Sequence, residues 1–130
     1  LIAKLMCSEI FCCVSSFVAL SGILDRFQLF FKWASVGSVS TMDQLVGLPF
    51  NNIKSISEGI LLPEATEYTS TGDIYFCMSD LDQTAEDILS YNHVSVSLSE
   101  EQTPYCRERG WDAEDPRCGR LVFNGPMIRV

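Results

Sequence analysis

Hydrophobic and polar positions change rhythm at Trp33. Before it, an uncharged run of fifteen residues extends from Ile10 to Leu24. After it, apolar residues come in short bursts separated by Gly, Pro, Asn and Asp, a pattern of strands and turns. Ala34–Met42 is small, β-branched and uncharged, as a buried strand would be. Gly47-Leu48-Pro49 breaks the chain, and Asn51–Ser57 resumes with Ile53 and Ile56. Residues 58–73, with Gly59, Pro63 and Thr71-Gly72-Asp73, predict a long loop ending in a turn. Ile74–Met78 predicts a strand that buries Cys77. Asp82–Tyr91 is the one helix expected, with Thr84 and Asp87 spaced as a capping box and Ile88 and Leu89 on its apolar face. His93–Leu98 alternates, placing Val94, Val96 and Leu98 on one face. Residues 99–118 predict an irregular charged loop, and Leu121–Phe123 and Met127–Val130 two strands around Asn124-Gly125-Pro126. The fold class is therefore mainly β with one short helix (α+β).

The first segment reads differently from the rest. Residues 1–32 form an apolar N-terminal segment, and residues 33–130 a partial domain. The run Ile10–Leu24 is too short for a transmembrane helix, so no stable membrane insertion is expected. With Lys4 before it and Ala19-Leu20-Ser21 as a small-x-small site, it matches a secretory signal. The alternatives are a buried helix or sequence joined to the domain by a faulty gene model. At the other end, the last strand reaches Val130 with no later residue to pair it. An open apolar edge is the consequence, and sheets avoid such edges. Either a partner covers it or the domain is truncated at the C-terminus and folds poorly alone.

Composition then narrows the partners. The chain has 130 residues and a formal charge of −8. Residues 41–99 carry nine acids and a single cation, Lys54. Nucleic-acid binding draws most of its affinity from Lys and Arg on phosphate, so none is expected. An anionic membrane surface would be repelled as well.

The candidate chemistry is sparse. Of six cysteines, Cys12 and Cys13 lie in the apolar run and lack the paired short spacings of a zinc site. Cys106 and Cys118 bracket an eleven-residue polar loop, as a disulfide in an oxidising compartment would; the alternative is two free thiols. His93, the single histidine, stands at a strand start and is expected to be structural. Asp80, Asp82, Glu86 and Asp87 resemble a calcium cluster in composition but lack the EF-hand spacing, and fit the acidic start of a helix. Nucleophile-elbow, P-loop and Rossmann motifs are absent, as is any N-x-[ST] sequon. No catalytic, cofactor-binding or metal residue is assigned.

Several segments together carry a resemblance. Trp33-Ala-Ser-Val-Gly-Ser-Val-Ser-Thr41, Gly47-Leu-Pro-Phe50, Ser70-Thr-Gly-Asp-Ile-Tyr75 and Ser79-Asp-Leu81 lead into the loop Thr103-Pro-Tyr-Cys106, Gly110-Trp-Asp112, Asp115-Pro116, Cys118 and Arg120. This set resembles the CREG family, secreted or endolysosomal proteins related to FMN-binding split barrels of the pyridoxamine-phosphate-oxidase type. The likeness covers residues 33–130 and implies a Greek-key split β-barrel, a homodimer, and a role in growth, differentiation or lysosomal function through an unidentified protein partner or receptor. Flavin enzymes of the wider group hold the FMN phosphate with cations near the second and third strands. Here Asn52 and Ser57 stand at those positions on the second strand, and Asp80, Asp82 and Gln83 follow the third. Lys54 alone remains. The resemblance therefore implies a non-enzymatic protein without a cofactor, with an FMN-dependent oxidoreductase as the alternative.

Overall fold

In the computed structural model, which describes residues 2–5, 9–12, 31–58 and 74–130, antiparallel strands dominate. They are β1 (Ile2–Leu5), β2 (Glu9–Cys12), β3 (Trp33–Val39), β4 (Pro49–Glu58), β5 (Ile74–Cys77), β6 (His93–Ser99) and β7 (Arg120–Arg129). Helix α1 (Gln83–Ser90) joins β5 to β6. Between β6 and β7 come a 3-10 turn at Glu100–Gln102 and the single helical turn α2 (Pro104–Arg107). The mainly β expectation holds, and the loop expected to be irregular contains these two turns. Among the described residues no helix is long and apolar enough to cross a membrane. The loop and turn expected over 58–73 fall outside the described residues except for Glu58. So does the apolar run beyond Cys12.

Strands β5-β4-β3-β6-β7 form one curled antiparallel sheet, a half-barrel. Period-two burial fixes its inner face. Ala34, Val36 and Ser38 point inward from β3, Val94, Val96 and Leu98 from β6, and Leu121, Phe123 and Met127 from β7. Val36, Val96 and Phe123 stand opposite one another in a single row across three strands. Ala85 and Ile88 of α1 join the same core. Each large apolar side chain buried there contributes roughly 1.5–3 kcal/mol relative to exposure.

The same periodicity corrects several expectations. Ile74, Phe76 and Met78 are buried, so Cys77 faces outward and is an exposed free thiol. Leu89 lies on the outer side of α1, 68% exposed, while Ile88 alone of that pair is buried. The helix is capped by Asp82, whose carboxylate accepts from the Thr84 amide at 2.8 Å; Thr84 and Asp87 form no capping box. The true capping box is Ser99 with Gln102, on the 3-10 turn.

β7 is one continuous strand through Asn124-Gly125-Pro126, and its outer edge is paired. β2 pairs with residues 121–124 and β1 with residues 127–129. Pro126, lacking an N–H, stands opposite the gap between those two ladders, where no bond is required of it. β1 also pairs with β5, so it bridges the two ends of the half-barrel into a ring. The open edge expected at the last strand is therefore not found.

Candidate functional site

Among the described residues, two polar clusters and one groove hold the chemistry. The first cluster lies where β4 meets the N-terminus of α1. Alternation along β4 turns Asn52 and Lys54 toward the interior while Ser55 and Ser57 stay outside. Lys54, buried, forms an ion pair with Asp82, and Asn52 Nδ2 donates to Thr84 Oγ1 at 3.3 Å. Burial pushes the Asp82 carboxyl up. The Lys54 hydrogen bond, the Thr84 amide and the Lys54 charge outweigh it and hold it below its ordinary value. Of the residues expected near a phosphate, Asn52, Lys54 and Asp82 come together. Ser57 and Asp80 are exposed and do not join them.

The second cluster is centred on Asp87, which has no exposed surface. Its Oδ2 accepts from Ser38 Oγ, and its Oδ1 from the Thr41 amide, the Thr41 hydroxyl and Gln83 Nε2, all at 2.8 Å. Burial raises this carboxyl, but the hydrogen bonds from Gln83, Thr41 and Ser38 win and lower it. The four acids once grouped by composition thus separate. Asp82 is a cap, Asp87 an internal tether, and Asp80 and Glu86 are exposed. Sequence reasoning missed the tether because i, i+3 spacing from Thr84 mimics a capping box; Gln83 one turn before Asp87 was the available signal.

The disulfide between Cys106 and Cys118 is formed, and both residues are fully buried. Gly110, at φ +66°, closes the α2 turn, with its N–H donating to Arg107 and that of Trp111 to Cys106, each at 3.0 Å. Tyr105 and Trp111 meet edge to face at 5.9 Å. The Arg109 guanidinium lies 3.7 Å over Tyr105 and that of Arg117 4.8 Å over Trp111. Arg117 also makes three bonds to Asp115, from Nε, Nη2 and its backbone amide, and they hold the carboxyl at about 2. Glu101, Cys106 and Cys118 converge within 4.8 Å, but the sulfurs are bonded to each other and offer no thiolate to a metal.

This loop walls a groove of about 480 Å³ on the outer face of β3, β6 and β7. Ser35, Ser97 and Val122 form its floor, and Glu101, Gln102 and Ala113 its rim. Trp33, 40% exposed, and Arg120 also line it. Two polar atoms of these residues, Glu101 Oε2 and Arg120 Nε, are buried without a partner. Gln102 accepts from the Ser99 amide at 2.7 Å and donates to the Trp33 carbonyl at 2.8 Å. The sequence had no signal for this groove, since its parts lie far apart along the chain. His93 is exposed and stacks on Tyr91 at 5.3 Å.

Residues 31–130 match the family described as CREG, beta-barrel. This chain belongs to the CREG family. Mouse Protein CREG2 is 35% identical over 99 residues, which cover 76% of this chain and 32% of that protein. Chicken Protein CREG1 is 31% identical over 98 residues, covering 75% of this chain and 49% of its own length. Human Protein CREG1 is 24% identical, with 75% and 42% covered. The CREG chain described here thus spans about a third to a half of the length of these relatives. The resemblance read from Trp33–Thr41 and the two-cysteine loop is borne out.

Proposed function

We propose that this chain is a non-enzymatic CREG protein, secreted or endolysosomal, acting as a homodimer through contacts with a protein partner or receptor. The observation that carries the reading is the engagement of Lys54 by Asp82. Lys54 is the one cation in residues 41–99, and its charge is already neutralised. A flavin phosphate brought to this place would face the Asp82 carboxylate, at a cost on the order of 1–4 kcal/mol for such a like-charge pair. Two further features support the reading. A disulfide suits an oxidising compartment. Met42, Leu45, Val46 and Leu48 stand exposed together on the turn after β3, the kind of apolar surface that partners cover.

The test is FMN titration followed by flavin fluorescence. No saturable quenching is expected at micromolar flavin. Quenching that saturates, and that disappears in Lys54→Met, would make a flavin-dependent oxidoreductase the better reading.

A further inference from the structure

Glu101, Cys106 and Cys118 stand at the base of the stapled loop, and their ligand atoms lie within 4.8 Å of one another. We propose that reduction turns this staple into a site for a thiophilic divalent cation of the zinc type, held by the two thiolates and the Glu101 carboxylate. A dithiol reductant passes two electrons and two protons to the Cys106–Cys118 bond and is itself oxidised to a disulfide. The two thiols then give up their protons to water as the cation binds.

The carboxylate is incomplete while the staple is closed. Glu101 Oε2 is buried without a hydrogen-bond partner, and Oε1 meets Arg107 at 3.9 Å, too far for a hydrogen bond. Buried acceptors are ordinarily paired, and disulfide sulfurs have no proton to donate. A cation supplies what the oxidised pair cannot. The distances agree with this. Zinc–sulfur bonds of about 2.3 Å at a tetrahedral ion set two thiolates about 3.8 Å apart, with an oxygen ligand slightly nearer. The Cα atoms of Cys106 and Cys118 are 5.6 Å apart, so rotation about the two Cα–Cβ bonds brings the sulfurs to that separation. Backbone bonds keep the three residues together without the staple. The Glu100 amide donates to the Gly119 carbonyl and the Gly119 amide to Glu100 Oε2, each at 2.9 Å, which ties the turn carrying Glu101 to the residue after Cys118. The Thr103 amide and hydroxyl both donate to the Glu100 carbonyl, at 3.0 and 2.7 Å, and fix the start of α2, which carries Cys106. Two sulfurs and a carboxylate oxygen suit zinc, whereas calcium and magnesium take oxygen ligands. Both cysteines are fully buried, while the Glu101 side chain keeps 31% of its surface exposed. The ion therefore enters, and a water completes its shell, from the glutamate side.

The experiment reduces the full chain with dithiothreitol, removes the reagent by anaerobic gel filtration, and titrates with Co2+ as a coloured stand-in for zinc. The reduced chain is expected to show a thiolate-to-cobalt charge-transfer band of two-thiolate intensity, abolished by Zn2+ and unaffected by excess Mg2+. The untreated chain keeps its disulfide but carries the other four cysteines, Cys7, Cys12, Cys13 and Cys77, and should show no such band. Glu101→Gln should weaken Co2+ binding at least about tenfold, the loss that follows even when a group behind a ligand is removed. Glu108→Gln, at an exposed acid of the same loop, should leave it unchanged. If Glu101→Gln loses its cooperative melt, cadmium-113 NMR of the reduced parent serves instead. Coupling should then reach the β protons of Cys106 and Cys118, and the Glu101 carboxyl carbon signal should move. The proposal is overturned by the absence of a band from the reduced chain, by an equal band from the untreated one, or by cadmium coupling to Cys77 in place of Cys106. Unchanged affinity in a folded Glu101→Gln, or a still carboxyl signal, would also overturn it, leaving a bare dithiol in place of a built site. Flavin binding is read separately, so failure here leaves the non-enzymatic reading standing and failure there leaves this one.

Discussion

Ser38 donates its hydroxyl to Asp87 across 2.8 Å, a buried bond between a β3 residue and a helix residue 49 positions later. Three further donors complete the carboxylate. A charge with no exposed surface and no cation beside it survives only if its acceptor sites are filled. Asp87→Ala strands these donors and is expected to cost about 3 kcal/mol or more. The check is a urea melt, where the midpoint should fall with little change in slope. A midpoint close to that of the parent would show that the tether does not hold α1 on the sheet.

The same two aspartates set the response to acid. Both Asp82 and Asp87 lie below the ordinary value of 3.8, because hydrogen bonds, joined at Asp82 by the Lys54 charge, overcome the upward push of burial. A carboxyl with a lower pKa in the folded state contributes stability that is complete above the unfolded value and is lost as pH falls through the folded one. These groups should therefore leave stability unchanged from neutral pH down to about 5, and remove it below about 3.9. Thermal melts across that range test the sign. An acid limb equally deep in Asp87→Ala and the parent would sink the assignment to Asp87.

Local pattern reached some features and not others. The strands around Val36, Val96 and Phe123 were visible because alternation survives wherever one face is buried, whatever the partner strand. Cys77 was misplaced because a five-residue apolar burst hides which of its two faces is inner; the parity of Ile74, Phe76 and Met78 decides it. Pro126 suggested a break because proline is costly inside a sheet, yet it falls at a position where the neighbouring ladder is interrupted. The edge of β7 looked open because its partners lie more than a hundred residues earlier, in β1 and β2. Likewise Lys54 and Asp82 each stand out in the sequence, but nothing along the chain shows that they neutralise one another. The groove between Trp33 and Arg120 exists only in the folded sheet.

Asp82 has two roles that substitution can separate. Its Oδ1 caps the helix through the Thr84 amide, and its Oδ2 holds Lys54. Asp82→Asn should keep the cap and lose the ion pair, while Asp82→Ala loses both. The alanine variant is expected to be less stable than the asparagine variant by about 1 kcal/mol, the usual contribution of an N-cap. Equal losses would show that the cap contributes nothing here.

The disulfide should matter locally more than globally. Closing the Cys106–Cys118 loop is expected to contribute about 3 kcal/mol by restricting the unfolded chain. Neither cysteine is in the apolar cluster formed by Val36, Val96 and Phe123, so the sheet has its own source of cohesion. In Cys106→Ala/Cys118→Ala, hydrogen exchange should accelerate over residues 107–117 while β3, β6 and the buried positions of β7 keep their relative protection. The loop supplies Ala113 to the groove rim, so the Trp33 indole signal should shift as well. Peptide mapping without reduction provides the covalent control. It should return one fragment pair joined through residues 106 and 118, with Cys77 alkylated, as its exposure requires. Alkylation of both Cys106 and Cys118 without reductant would remove the staple from the fold. Uniform loss of protection across β3, β6 and β7 in the double variant would instead show that the loop and the sheet unfold as one unit.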